Sequence, residues 1–254
     1  MSYVDALIMG VIQGLTEFLP VSSSGHLVLY ARLTGAESNV GFDVAVHLAT
    51  LIAVIICFRK ETIGIVRRPF SAKARLLWLA TLCTAASVLA TKDLALEVFE
   101  NPALLPVFFM ITAVLLTVAS LFPRKTEHDV TYLDAAIIGI AQGFATFPGL
   151  SRSGTTVSTG TLLGVKKEEN VAFCFLLSVP IIIASAAVEL ISPSSAPVAL
   201  PVIVVGFVCA LTSGIAALKF VKTLLGKVGG TPFAVYLAVL SVLLTLNDCF
   251  FGWF

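Results

Sequence analysis

Residues 3–25 read YVDALIMGVIQGLTEFLPVSSSG, and residues 132–154 read YLDAAIIGIAQGFATFPGLSRSG. The stretches align without a gap, and 11 of the 23 positions are identical. The offset, from Tyr3 to Tyr132, is 129 residues in a chain of 254, so the chain is a duplicated half. The copies part at a few polar positions. Glu17 is matched by Thr146, Ser23 by Arg152 and His26 by Thr155. Two similar walls with different polar groups are a way to build one asymmetric site between them.

Composition sets the solvent. The chain is 58% hydrophobic and 12% charged, with a mean hydropathy of +1.01. A soluble domain carries about twice that charge. Apolar stretches at 44–58, 76–91, 103–122, 171–188, 198–218 and 232–247 predict about six transmembrane helices, since a span takes about 17–25 residues. Lipid admits only helices and closed barrels, and unbroken apolar runs exclude the barrel. The fold class is therefore an all-α integral membrane protein. It reads as a single membrane domain over 1–254, with repeats at 1–125 and 130–254. Asp5 stands where a signal peptide would be basic, so the N-terminus is expected to be retained. The cysteines at 57, 83, 174, 209 and 249 show no metal or redox spacing and read as small packing residues. A net charge of +1 implies no nucleic-acid partner.

Charge placement predicts orientation. Of 16 Lys and Arg residues, thirteen fall in four segments. These are Arg59, Lys60, Arg67, Arg68, Lys73 and Arg75 in a loop at 59–75; Arg124 and Lys125; Lys166 and Lys167; and Lys219, Lys222 and Lys227. By the positive-inside rule these segments face the cytoplasm and both termini face outside. Arg32 and Lys92 lie on the other side, 192–201 holds no basic residue, and Arg152 sits inside a motif. Segment 171–188 then runs outward while its counterpart near 42–59 runs inward, so the halves are inverted. Segments 3–40 and 131–167 must each enter and leave on one face. They are expected to be re-entrant helical hairpins whose breaks meet near the midplane, an inverted-topology arrangement that resembles transporters. Broken backbone at that depth is tolerated only in protein or beside a wet cavity, which places the site there.

The first break offers Gln13, Glu17, Pro20, Ser22, Ser23, Ser24, Gly25 and His26. Gln13 and Glu17 share a helix face. Pro20 ends one helix, and the serines can cap the next, whose free N–H groups and positive end suit a phosphate. The second break offers Ser151, Arg152, Ser153, Gly154 and Thr156, adding a guanidinium fork for phosphate oxygens. Ser22 and Ser151 could equally serve only as backbone partners, and one of Gln13 and Gln142 as scaffold. His47 and His128 read as structural. A carboxylate and a guanidinium at membrane depth cost about 2.5–3.5 kcal/mol each or more unless paired or solvated. Glu17 and Arg152 could be a bare structural pair, but that would leave Ser23, His26 and two anion-ready helix ends without a use.

QGLTEFLPVSSSGH and PGLSRSGTT resemble the two signature motifs of the bacitracin-resistance undecaprenyl-diphosphate phosphatases, and the likeness runs the full length. Gln13, Glu17, Ser22, Ser23, Gly25 and His26 match the first motif; Ser151, Arg152, Ser153, Gly154 and Thr156 match the second. The resemblance implies removal of the terminal phosphate from a polyprenyl diphosphate at the plasma membrane. This gives the monophosphate lipid carrier for cell-wall synthesis and confers bacitracin resistance. It also implies a divalent cation, Mg²⁺ or Ca²⁺, and a site open to the outer face. One departure is Phe42-Asp43-Val-Ala-Val-His47, where the family has Glu and Gln in place of Asp43 and His47.

Such chemistry needs charge neutralisation, a nucleophile and a proton handler. Arg152 and the capped helix ends, with Gln13, Ser22, Ser24, Gly25, Ser151, Ser153, Gly154 and Thr156, are the candidate diphosphate binders. Glu17 is either a general base or a metal ligand. Ser23 is the candidate nucleophile, giving a phosphoserine, with His26 one turn away as acid or base; attack by His26 or by a water fits equally. The rival reading is an inverted-repeat lipid-phosphate flippase or ion-coupled transporter, disfavoured because Glu17, Ser23 and His26 all sit on one side. Oligomeric state, a homodimer included, is left open.

Overall fold

The computed structural model describes residues 1–36, 39–123, 127–191, 198–224 and 229–252. Arg124, Lys125, Lys227 and residues 192–197, used above to read orientation, lie outside the described residues. Eleven α-helices follow one another: α1 (Tyr3–Phe18), α2 (Ser23–Thr34), α3 (Val40–Cys57), α4 (Arg59–Arg67), α5 (Ala72–Glu100), α6 (Leu105–Leu121), α7 (Tyr132–Phe144), α8 (Arg152–Leu163), α9 (Lys167–Ile191), α10 (Leu200–Leu224) and α11 (Thr231–Leu246). No strand occurs among the described residues; His128 and Val165 form a single isolated bridge.

Five of these helices, α3, α5, α9, α10 and α11, are long and apolar enough to cross a membrane. The chain is a multi-pass, all-α membrane protein. The expected sixth span, 103–122, is α6, an apolar helix of 17 residues. It starts late because Pro102–Leu104 form a 3₁₀ turn and Pro106, which has no N–H to give, sits in the first helical turn. The loop expected at 59–75 is a correction: 59–67 form α4, an exposed helix with no buried residue, and Lys73 and Arg75 already belong to α5.

The repeated Asp is a helix cap. Ser2 and Asp5 form a reciprocal capping box at α1, and Thr131 and Asp134 form the same box at α7. The repeated glycines serve close packing. Gly10 and Gly14 of α1 lie against Gly206 and Ser213 of α10, so these helices run in the same direction. Gly139 and Gly143 of α7 lie in the same manner against Ala80 and Ser87 of α5. No Cβ fits at these glycines, and lipid-embedded helices approach closely through such small residues. Further contacts join α6 to α11 and α3 to α9, and α10 also packs along α3.

One buried cluster holds Phe58, Leu77, Val130, Val165, Val171 and Val221. It gathers the ends of α3, α8 and α10 with the starts of α5, α7 and α9 at one face. Basic residues sit at these ends: Arg59 and Lys60 just past α3, Lys73 and Arg75 in the first turn of α5, Lys166 and Lys167 at the start of α9, and Lys219 and Lys222 in the last turns of α10. Lys222 Nζ donates to the Cys57 carbonyl at 3.1 Å and lies 3.7 Å over the Phe58 ring. Lys166 Nζ reaches Asp129 at 2.8 Å, and this hydrogen bond holds the Asp129 carboxyl below its usual range. The five cysteines are all free thiols.

Candidate active site

Both repeats break where Pro and Ser interrupt them. Helix α1 stops at Phe18, and Pro20 cannot continue its ladder. Ser22 then caps α2, its hydroxyl accepting from Gly25 N at 3.3 Å. Helix α7 stops at Phe144, and Ser151 caps α8 by accepting from Gly154 N at 3.1 Å. In each break the capping hydroxyl lies near the serine two residues on: Ser22 to Ser24 at 3.4 Å, Ser151 to Ser153 at 3.3 Å. The backbones differ. Ser22 has φ +70°, alone among the described non-glycine residues, whereas in the second break the positive φ of +91° falls on Gly149. A non-glycine residue held there costs about 1–3 kcal/mol and is found where the surroundings enforce it.

The two breaks touch. Ser153 Oγ donates to the Leu19 carbonyl at 3.1 Å. A Cβ on Gly25 would come within 2.7 Å of the Phe109 ring and 3.1 Å of Gly149 Cα, so glycine lets the tips meet. Thr112 of α6 ties the second tip down, donating to the Gly149 carbonyl at 3.2 Å and accepting from Ser151 N at 3.1 Å.

Glu17 lies at this junction with its side chain 6% exposed. Its Oε2 accepts from Ser23 Oγ at 2.6 Å and from Gln13 Nε2 at 2.9 Å. Its Oε1 lies 3.5 Å from Arg152 Nη2. Arg152 Nη1 is buried without a hydrogen-bond partner among the described residues. One carboxylate thus gathers Gln13 and Ser23 from its own repeat and Arg152 from the other. Phe18, Ser153, Thr156, Cys174, Phe175 and Ser178 complete the walls of a cavity of about 10 Å³ against Glu17 and Arg152. Thr156 Oγ1 donates to the Arg152 carbonyl at 2.9 Å, securing the first turn of α8.

Other expectations change. His47, read as structural, has Nε2 3.8 Å from Glu17 Oε2, while its Nδ1 lies 2.7 Å from the Asp43 carbonyl. His26 is not gathered around Glu17. Its Nδ1 lies 2.8 Å from the Ser22 carbonyl and its Nε2 2.7 Å from the Tyr236 hydroxyl, with the two rings stacked. Tyr236 and Thr112 were missed: each is one of a few scattered polar residues in an apolar helix, with no pattern to mark it. Gln142 is helix glue, donating to Thr84 Oγ1 at 3.2 Å and the Leu177 carbonyl at 3.5 Å. Thr146, opposite Glu17 in the repeat, donates to its own helix at Gly143. His128 ties to backbone carbonyls of Asp129 and Leu163.

Among the described residues no group of three or more His, Cys, Asp and Glu could hold a metal ion. A Mg²⁺ held by one carboxylate, waters and substrate phosphates does fit, with Glu17 as that carboxylate.

The family model described as "Bacitracin resistance protein BacA" matches residues 6–243. Among curated relatives, an undecaprenyl-diphosphatase of Carboxydothermus hydrogenoformans is 40% identical over 250 residues, covering 95% of this chain and 96% of its own. One of Idiomarina loihiensis is 37% identical over 264 residues, covering 97% and 99%. One of Methanococcus maripaludis is 35% identical over 253 residues, covering 96% and 100%.

Proposed function

This chain belongs to the bacitracin resistance protein BacA family, and we propose that it is a membrane phosphatase that cleaves the terminal phosphate from an undecaprenyl-type diphosphate. The observation that carries the reading is the Glu17 carboxylate, which takes the Ser23 hydroxyl at 2.6 Å while facing Arg152. A scaffold or a phosphate clamp needs no serine hydroxyl bonded to a carboxylate; an acceptor of its proton does.

Ser23 Oγ attacks the terminal phosphorus as Glu17 takes its proton. The bond to the bridging oxygen breaks, and the lipid monophosphate leaves. Arg152, through its unpartnered Nη1, and the first-turn N–H groups of α2 and α8 hold the phosphate oxygens. Glu17 gives the Ser23 proton to the departing monophosphate oxygen, then takes one from a water that attacks the phosphoserine phosphorus, and returns it to Ser23 Oγ as the P–Oγ bond breaks and phosphate leaves. A divalent cation, if bound, would be held by Glu17 and would supply neutralisation of the phosphate charge. Gln13 orients Glu17, and His47 adds a polar neighbour. Ser22, Ser24, Gly25, Ser151, Ser153, Gly154 and Thr156 shape the two anion-binding tips. His26 would have to leave Tyr236 to attack, so its role is to hold the Ser22 carbonyl and with it the strained turn.

The same reading takes the chain as one domain of two inverted halves, with α1–α2 and α7–α8 as re-entrant hairpins. The exchange of partners supports it: α1 lies on α10 of the other half, and α7 on α5. The basic face is cytoplasmic and the termini are outside, by the positive-inside rule. The opening toward the outer face rests on the family likeness.

Phosphate release from detergent-solubilised protein given a polyprenyl diphosphate tests the function. A carrier releases none, and that result would return the flippase reading.

A further inference from the structure

The segment between α3 and α5 has no part in the chemistry above. Helices α3 and α5 are both long and apolar enough to cross the membrane. Residues 58–71 are therefore held at the membrane face where α3 ends and α5 starts, and 59–67 fold there as α4. Helix α4 has two unlike sides. Ile65 packs against the buried cluster that holds Phe58 and Leu77. Ile63 and Val66, three apart and so neighbours on one face, are turned away from the protein, and Val66 is 73% exposed. Phe70, in the turn that follows, is 84% exposed, more than any other large hydrophobic side chain among the described residues. Trp78 of α5 is half exposed and donates through Nε1 to the Pro69 carbonyl at 3.1 Å, which sets its ring beside this turn.

Charge surrounds these side chains. Arg59, Lys60, Arg67, Arg68, Lys73 and Arg75 lie in 59–75, and Glu61 is the one acid there. All but Lys73 are exposed, and none of the six makes an ion pair among the described residues. A polyanion in water would pair with the cations but leave Ile63, Val66 and Phe70 wet. A bilayer satisfies both. Its acyl boundary takes an outward apolar face, long basic side chains reach past that face to the phosphates, and a tryptophan suits the level between.

We propose that 59–75 is a binding site for anionic phospholipid in the leaflet on the basic face. The acyl chains lie against Ile63, Val66, Phe70 and Trp78, and the head groups sit among the Arg and Lys side chains. The site needs neither hydrolysis nor one orientation of the chain, so its test stands apart from that of the phosphatase.

The chain has two tryptophans, and Trp253→Phe leaves Trp78 alone. That full-length protein is placed in phosphatidylcholine vesicles in which an equal fraction of either phosphatidylcholine or phosphatidylglycerol carries bromine on its acyl chains. Bromine quenches only a tryptophan it touches, so the ratio of the two quenching curves reads lipid preference beside Trp78. Phosphatidylglycerol should be preferred about fivefold or more, the worth of one basic residue at an anionic surface. The preference should fade in 1 M salt, where the Debye length is about 3 Å. Arg59→Gln, Lys60→Gln, Arg67→Gln and Arg68→Gln together should bring the ratio to about one. In a background without the native thiols, an environment-sensitive fluorophore on Phe70→Cys should emit as in lipid and resist quenching by iodide. Equal quenching of Trp78 by the two brominated lipids overturns the head-group site. A fluorophore at 70 as open to iodide as the free dye overturns the apolar contact.

Discussion

Replacing Ser23 by Ala separates nucleophile from ornament. The Ser23 Oγ to Glu17 Oε2 distance of 2.6 Å lies in the range of a short, charge-assisted hydrogen bond. If Ser23 only orients an attacking water, its loss removes that one bond, about 1.5–3 kcal/mol, which is about 10–150-fold in rate. If Ser23 attacks, the variant has no covalent route, and the remaining rate comes from binding by Arg152 and the helix ends. A loss of about 10⁴-fold or more is then expected, by analogy with nucleophile deletions elsewhere. Ser24 calibrates the measurement: its hydroxyl sits 3.4 Å from Ser22 Oγ and touches no charge, so Ser24→Ala should stay within about threefold. Ser22→Ala should fall between, because it removes a cap worth about 0.5–2 kcal/mol at a position with φ +70°. The assay is phosphate release under saturating substrate, with rapid quench to trap phosphoserine. Ser23→Ala turning over within about a hundredfold of wild type would refute attack by Ser23 and pass the role to water or His26.

Arg152→Lys keeps the charge but not the fork, so turnover should drop more than about tenfold in well-folded protein; near-normal turnover would contradict the phosphate grip. Glu17→Gln keeps an acceptor for Ser23 but places an amide against Arg152. Hydrolysis should fall by about 10²–10⁴ with the fold intact, and full specific activity in the folded fraction would make Glu17 structural. Tyr236→Phe frees His26 Nε2 and should move the pH profile of turnover while changing KM little; an unchanged profile would remove Tyr236 from the site. In a background without the native thiols, a cysteine at Ala199 should react with an impermeant reagent outside intact cells and one at Phe70 should not. Labelling at Phe70 would reverse the proposed orientation.

The six apolar runs, the two breaks and the approach of Glu17, Ser23 and Arg152 were legible in the sequence because each has a local cause. Length and hydropathy fix the runs, Pro and Ser fix the breaks, and an intramembrane charge must find its opposite. The parts that were not legible depend on which face of a helix meets which neighbour. His47 reaches Glu17 because α3 packs beside α1, a fact that no spacing within Val40–Cys57 encodes. Tyr236 and Thr112 each make their contacts across helices separated by scores of residues. Helix α4 was hidden for a different reason: its basic residues read as a loop, yet Arg, Lys and Glu are good helix formers once a neighbouring helix supplies a start. The small-residue seams were legible in principle. Gly10 with Gly14, and Gly139 with Gly143, have the spacing that close membrane helices use.

Duplication alone would have made a poor site. Had both copies kept Glu17, or both Arg152, the two touching breaks would carry like charges, which repel, in place of a carboxylate and a guanidinium. Divergence at the two positions relieves this at once. Thr146 carries no charge and donates its hydroxyl to Gly143 in the last turn of α7, while Glu17 faces Arg152 and His47. Ser23 then stands where the other copy carries the guanidinium, and its hydroxyl falls to the carboxylate that Arg152 has not saturated. At 3.5 Å the Glu17–Arg152 pair is loose, and Arg152 keeps Nη1 unpaired. A purely structural pair would close into a two-pronged contact. A buried donor left unmet costs about 1–3 kcal/mol or more, which an anionic guest would recover, and the two capped helix ends beside it present their positive ends to the same guest.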